Sequence, residues 1–386
     1  MKLQEQNFIE LLRASIHPGT QPELKDPSYP EIIKLGESHG VTGLLYPGLK
    51  RCLPFDDPFL ARMKKQSFAA ATRESMQGKD LERIFSACQE AKIPILPLKG
   101  CVIKKLYPYP ELRFMSDADL LIPGEFEENI KGILKNSGFQ PRKVDAGDTL
   151  FYVSPVSLNY EIHLDLQSEG YSHKTCNFTG NLLKLARPVA EGSYVMELPP
   201  EEHYVYILCH FIKHFVYGGV GIRQLTDLYI CYYRWDLDLK RVEHLVEELE
   251  LTEFHQNLLE LCATLFQGRE SSPKTAVLGE YILRSGVFGT EEQRATDRIL
   301  AVRQEKTYIW GRLFPSYKTM KGYFPILKKM PILLPFAWVW RAVRALLFRR
   351  DKLNTEINVL SNTDRTALDE KRQFFHDCGL TVYEKK

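Results

Sequence analysis

The chain has 386 residues, is 44% apolar and 26% charged, and carries a formal net charge of +2 at pH 7. That length accommodates two domains of ordinary size, and the composition is that of a soluble globular protein. The near-balanced charge singles out no partner. The first 19 residues mix acids with apolar residues and hold no apolar core segment, so they are not read as a signal peptide. The cysteines (Cys52, Cys88, Cys101, Cys176, Cys209, Cys231, Cys262 and Cys378) show no C-x-x-C pair. They read as reduced thiols of a cytoplasmic protein, which sets aside a disulfide frame or a zinc site.

In chain order, residues 5–15 predict a helix with Phe8, Leu11 and Leu12 on one side, and Glu31–Leu35 predicts another. Residues 41–49 are apolar and turn-rich. Asp57-Pro58 opens a helical stretch to about Glu90, in which Phe59, Leu60, Met63, Phe68, Ala71 and Met76 recur at helical spacing. These segments are expected to pack beside a catalytic sheet and to carry no chemistry. Ile93–Leu98 is a short apolar run that reads as a buried strand. Lys99-Gly100 follows, then Cys101–Tyr109 without strand alternation.

After Arg113, a second strand carries Asp117 and Asp119 and ends in Leu120-Leu121-Ile122. Side chains alternate along a strand, so the two carboxylates share one face, Cβ atoms roughly 7 Å apart, while Ala118 and Leu120 point into a core. Two acids on one face repel unless a cation lies between them. Mg²⁺ favours carboxylates together with substrate phosphates, and a pair of metals would clamp the attacking and leaving oxygens of a phosphoryl displacement. A solvated strand end is the competing expectation. Gly100, at the turn from strand to helix, would offer free N–H groups and a positive dipole end to a phosphate. Lys99 adds a charge at the same turn, and Arg113 is close enough in sequence to point at the same anion.

The wording LKG, then R-x-x-x-D-x-D-L-L-I, resembles the nucleotidyltransferase superfamily with the DNA polymerase β type of catalytic domain. Within it, the chain is most similar to the uncharacterised nucleotidyltransferases, in which Lys-Gly replaces Gly-Ser. The resemblance covers roughly Leu96 to Asp227. It implies an α+β fold, with a mixed β-sheet flanked by helices and an all-helical C-terminal domain. It implies magnesium-dependent transfer of a nucleoside monophosphate from an NTP, ATP among them, to a hydroxyl acceptor with release of pyrophosphate. In that scheme Asp117 and Asp119 hold two Mg²⁺ ions, a third acid follows on a later strand, Lys99 and the Gly100 amide hold the triphosphate, and Arg113 neutralises charge near it.

Pro123-Gly124 opens a helix through about Asn136, which Gly138 ends. Phe139–Val144 and Thr149–Val153 predict strands separated by the turn 145–148. Leu158–Leu166, LNYEIHLDL, alternates cleanly, with Glu161, His163 and Asp165 on one face. It suits an antiparallel strand with one wet face. The resemblance instead makes Glu161 the third carboxylate, flanked by Tyr160 and Ile162 and followed by His163 in a Glu-x-His pattern. Asp165, between Leu164 and Leu166, has the same flanks and is the alternative. Residues 171–198 give little signal beyond a last strand at Tyr194–Leu198.

Pro199-Pro200-Glu201-Glu202 is a helix start, with acids at the positive end. Helices are then expected over His203–Phe215, Gly221–Tyr233 and about 239–249, 252–267, 273–284 and 290–304, which argues for a second, helical domain. His210 and His214 lie four apart, but Phe211 stands where a zinc protease needs glutamate. They read as buried imidazoles, or with Lys213 as lip residues facing phosphates. The resemblance carries a His-rich helix and an Arg-x-x-x-Asp segment onto His210, Lys213, His214, Arg223 and Asp227 as cleft-lining residues. Arg223 and Asp227 also suit an intrahelical pair contributing about 0.3 kcal/mol. Asp236-Leu237-Asp238 is assigned to helix capping by Asp238.

Between Lys306 and Arg350 there are ten Lys or Arg and no acid, with aromatics interleaved. Residues 331–348 are too short and too charged for a membrane span. They suit a helix packed on the domain or lying on an anionic membrane, and a nucleic-acid backbone is the lesser option. The expected units are 1–92, 93–198, 199–305 and 306–386. The expected location is cytoplasmic, with 331–350 as a peripheral contact at the inner face of the membrane. A non-catalytic module of the same fold, binding a partner or that membrane surface, is the alternative.

Overall fold

The computed structural model describes residues 1–142, 148–286, 314–315, 317, 320, 324–328, 330–348 and 365–381. The first three residues of the predicted turn 145–148, the helix at 290–304 and part of the basic stretch lie outside the described residues.

Five strands form one mixed sheet: β1 (Leu96–Pro97), β2 (Asp117–Leu121), β3 (Gln140–Arg142), β4 (Thr149–Val153) and β5 (Asn159–His163). The spatial order is β1-β2-β5-β4-β3. β2 and β5 run parallel, and the other pairs are antiparallel. A small hairpin, β6 (Arg187–Pro188) with β7 (Met196–Glu197), joins the sheet through a bridge from Ile95 to Val195.

The sheet separates its two faces by the period-2 rule. Ala118 and Leu120 of β2 lie beside Tyr160 and Ile162 of β5, and all four are buried. They are covered by the second half of α4 (Pro58–Glu90), through Leu81, Ile84 and Cys88, and by α6 (Glu127–Asn136), through Ile130 and Leu134. The opposite face carries Asp117, Asp119, Asn159, Glu161 and His163. Asp57 begins α4 as predicted: its Oδ1 accepts from the Phe59 and Leu60 amides at 2.8 and 3.1 Å, with Pro58 in the first turn.

A second core joins the two ends of the chain. α1 (Leu3–Ile16), α2 (Tyr29–Ser38) and α3 (Thr42–Cys52) bury Phe8, Leu11, Leu12, Ile32, Leu44 and Leu45 in one cluster with residues of α9 (Pro200–Tyr217), α10 (Ile222–Arg234), α11 (Leu239–Glu248), α12 (Thr252–Gln267) and α13 (Pro273–Ser285). The first ninety residues meet the sheet in two ways: the second half of α4 covers its apolar face, and α1 to α3 share their cluster with Leu96 of β1 and Leu121 of β2. The turn-rich segment 41–49 is the helix α3. Pro47 lies inside it, and burial of Leu44, Leu45 and Leu49 overrides the local cost. Gly48 lets α3 lie against α1, since a Cβ there would meet the Leu11 carbonyl oxygen at 2.6 Å. Two short helices that the sequence did not signal, α7 (His173–Gly180) and α8 (Leu182–Leu185), connect the sheet to the hairpin.

Near the C-terminus, α14 (Leu334–Phe348) follows a 3-10 turn at Pro331–Leu333, and α15 (Arg365–Asp377) inserts Phe375 into the second core. The chain is thus an α+β molecule with a mixed sheet and a helical extension.

Candidate active site

The acid-bearing face of the sheet is built by register. In the parallel pair, Asp119 lies opposite Glu161, and Asp117 lies opposite Asn159. The side chains of Asp119, Glu161 and His163 converge, each offering a ligand atom within 4.8 Å of the others. Asp165 lies past the end of β5, exposed, where its carboxylate accepts from the Gln167 amide. The register thus brings Glu161, not Asp165, to Asp119.

Asp119 is buried and densely partnered. Its Oδ1 accepts from Lys99 Nζ at 2.8 Å and from His163 Nε2 at 2.9 Å, while His163 Nδ1 meets Thr149 Oγ1 at 3.1 Å. Burial works against its charge, but Lys99 and His163 hold its carboxyl well below the usual carboxylate range. Glu161 is less closely answered, with His163 Nε2 at 3.9 Å. Burial first, then the negative charges of Asp119 and Asp117, pushes it up to about 8. Asp117 is held from the other side by the Ser116 hydroxyl at 2.8 Å. Of the acids on this face, Lys99 bonds Asp119 alone. The donor set of two to three carboxylate oxygens, with an imidazole orienting one of them, therefore fits a divalent cation.

Lys99 occupies the turn from β1 into the four-residue helix α5 (Gly100–Ile103). Its φ of +46° is a left-handed conformation rare for lysine. Gly100 is required by crowding: a Cβ there would meet the Arg113 guanidinium and Met115 Sδ, the latter at 2.8 Å. Arg113 directs its fork at Asp227 of α10, with Nη2 to Oδ2 at 2.7 Å and Nε to Oδ1 at 3.2 Å. The Tyr107 hydroxyl donates to the same Oδ1 at 2.8 Å. Asp227 is thereby taken by Arg113, and the intrahelical pair with Arg223 does not form. A planar fork from a neighbouring turn satisfies both carboxylate oxygens, which a flexible i, i+4 partner does not.

The helical side brings a residue that the sequence did not reveal. Glu169, in the 3-10 turn Gln167–Glu169, is buried. It accepts from His210 Nδ1 at 2.8 Å and Lys213 Nζ at 2.7 Å, and lies 3.9 Å from Lys99 Nζ. Burial works against its charge, but Lys99 foremost, then the His210 hydrogen bond and Lys213, hold its carboxyl well below the ordinary range. His210 and His214 meet ring to ring at 4.5 Å between centroids. Burial lowers the pKa of both, with Lys99 adding to the effect and His210 acting further on His214. Glu169 follows no alternation and no motif, so spacing alone had no means of singling it out. Asp238 caps α11 by accepting from the Lys240 and Arg241 amides, as expected.

The site thus lies where the acidic face of β2 and β5 meets α9 and α10. Lys99, Arg113, Asp117, Asp119, Glu161, His163, His210, Lys213, Arg223 and Asp227 form one connected region, with His214 against His210 and Gly100 beneath Arg113. A family model described as uncharacterised nucleotidyltransferase matches residues 26–267. No curated protein and no solved structure matches the chain. That match takes in the whole sheet, the acid cluster and the helices α9 to α12, and the chain belongs to the uncharacterised nucleotidyltransferase family.

Proposed function

We propose that the chain is a magnesium-dependent nucleotidyltransferase that moves a nucleoside monophosphate from an NTP, ATP included, to a hydroxyl acceptor with release of pyrophosphate. One observation carries the reading: the parallel register sets Glu161 across from Asp119, with Asp117 two residues along the same face. Asp117, Asp119 and Glu161 would hold the metal, two ions when the nucleotide is bound. Mg²⁺ there supplies charge stabilisation and a lowered pKa for the acceptor hydroxyl. His163 orients Asp119 by its hydrogen bond. Lys99 keeps Asp119 ionised and faces the phosphate side with the Gly100 amide. Glu169 fixes Lys99, His210 and Lys213 in place, and burial keeps the site poor in competing water. Arg113 braces the turn against α10.

The test is pyrophosphate release from each of the four NTPs with Mg²⁺ and a cell extract as acceptor source, with products identified by mass spectrometry. Asp117→Ala together with Asp119→Ala should abolish Mg²⁺-dependent release, and should also lower the melting temperature, because Lys99 and His163 lose the carboxylate that they bond. Retained release in that double variant would remove the mechanism.

A second reading concerns α14. Ile332, Phe336, Val339 and Trp340 are 80%, 72%, 64% and 61% exposed. Phe336, Val339 and Trp340 fall at helical spacing, with Ile332 in the turn before them, while Ala337 packs with Met320 and Leu327, and Trp338 meets Phe314 and donates to the Pro315 carbonyl. No helix among the described residues is long and apolar enough to cross a membrane. An apolar stripe with Trp, within a basic stretch, suits a helix lying on an anionic bilayer. Phe336→Glu with Trp340→Glu should abolish flotation with phosphatidylglycerol vesicles and leave pyrophosphate release intact. Equal flotation of wild type and variant, or equal binding to neutral vesicles, would exclude it.

A further inference from the structure

Four cationic side chains line the region between the acid cluster and α10. Three are answered by acids: Lys99 by Asp119, Lys213 by Glu169 and Arg113 by Asp227. Arg223 is different. It makes no hydrogen bond or ion pair among the described residues, and its Nε is enclosed without a partner.

The location makes that state costly. Arg223 is the second residue of α10, where the helix dipole opposes a positive charge and the first turn contains no acid. Asp227 lies one turn further along the same helix and would be its natural partner. Both oxygens of Asp227 are instead committed to Arg113 and Tyr107. Burial and the nearby Arg113 charge hold the Arg223 pKa below the ordinary arginine value, with Asp227 and Asp117 opposing only in part. A guanidinium stays charged in a protein, so the fold retains a half-buried cation, its Nε enclosed, that lacks a counter-ion. Such a group is expensive unless something anionic completes it.

We propose that Arg223 binds the polyphosphate tail of the nucleotide, with Arg113 held beside it by Asp227 as a brace. The proposal rests on the nucleotidyltransferase reading for the identity of the anion. It transfers the main phosphate contact from Arg113, whose fork is occupied, to the arginine one helical turn before Asp227. Asp227, one turn along from Arg223, holds Arg113 over Gly100, so a tail bound there would run from the Lys99–Gly100 bend toward the start of α10. A planar guanidinium suits phosphate through paired N–H donors.

The experiment is calorimetric titration of the full chain with inorganic triphosphate in metal-free buffer, for wild type, Arg223→Gln and Arg223→Lys. Wild type should bind. Arg223→Gln should weaken binding at least tenfold with an unchanged or higher melting temperature, because an unpartnered buried charge contributes nothing to the fold. Arg223→Lys should recover part of the affinity. No binding by wild type, or unchanged affinity in Arg223→Gln, overturns the proposal. So does a large fall in melting temperature in that variant, which would mark a structural role. Asp119→Asn separates this inference from the transfer reaction. Lost pyrophosphate release with retained triphosphate binding supports both readings. Triphosphate binding that depends on Arg223, in a chain with no nucleotide turnover, leaves the anion site standing and removes the enzyme.

Discussion

At the residue scale, Asp119 and Glu161 are neighbours in the sheet yet are held in opposite protonation states. Asp119 has Lys99 and His163 on one oxygen, whereas Glu161 faces two acids and is pushed up to about 8. A carboxyl whose folded pKa is raised withdraws stability as pH climbs from its unfolded value, about 4.3, through about 8. Glu161→Gln should therefore stabilise the metal-free chain at pH 8, by on the order of 1–3 kcal/mol, and have little effect at pH 5. The same variant should lose any stabilisation by Mg²⁺ with NTP, since ligands stabilise by mass action. Urea denaturation at the two pH values measures both effects. Equal stability of variant and wild type at pH 8 would show that Glu161 does not feel its neighbours. Gly100 makes a steric counterpart: Gly100→Ala should cost about 1–3 kcal/mol by overpacking against Arg113 and Met115, readable as a lower melting temperature.

At the element scale, three helices or their caps bury imidazoles that burial lowers to about 4: His39 after α2, His203 in α9 and His255 in α12. His39 explains itself by geometry. Nε2 meets the Leu283 carbonyl at 3.2 Å while Nδ1 accepts from the Ile222 amide at 3.3 Å, a pattern only the neutral ring can satisfy. Each folded pKa lies below the unfolded value of about 6.5, so the unfolded chain binds more protons in between. Stability is complete above about 6.5, falls as pH drops toward 4, and loses up to about 3 kcal/mol per imidazole. Against a total stability of roughly 5–15 kcal/mol, three such groups make the helical core acid-sensitive. His203 also leaves Nε2 without a partner. His203→Phe should flatten part of the slope of stability between pH 6.5 and 4.5, followed by urea midpoints. An unchanged slope would rule out its contribution.

At the scale of the whole molecule, the start of the chain and the helices after Pro200 fold as one body. Leu11 and Leu12 of α1 lie in the same core as Phe254 and Phe266 of α12 and Phe375 of α15. Arg13 of α1 closes the connection by donating to the Leu265 carbonyl near the end of α12 at 3.2 and 3.1 Å, a cation at the negative end of a helix. Leu12→Ala should cost about 2–5 kcal/mol and lower the unfolding midpoint of the helices after Pro200, not only that of the N-terminal segment. With Trp310, Trp338 and Trp340 replaced by Phe, tryptophan fluorescence reports Trp235 at the end of α10, and it and far-UV circular dichroism should shift together. A variant that leaves the Trp235 transition in place would divide the molecule at residue 199 after all.

Local chemistry alone determined the recurring elements of this protein. Alternation identified the strand that carries Asp117 and Asp119, Asp57-Pro58 marked the start of α4, and Pro199 to Glu202 marked that of α9. Those signals are short-range, and neighbouring residues suffice to produce them. The family was legible for the same reason, since a Lys-Gly bend and an Asp-x-Asp strand lie within about twenty residues of one another. What needed the tertiary structure were the pairings across long separations: Glu169 with His210 and Lys213, Arg113 with Asp227 instead of Asp227 with Arg223, and α1 to α3 with the C-terminal helices. Spacing in sequence carries no information about which acid reaches a given cation across a hundred residues. Only packing decides that, by determining which face of each helix is withdrawn from water and which charges must be answered there.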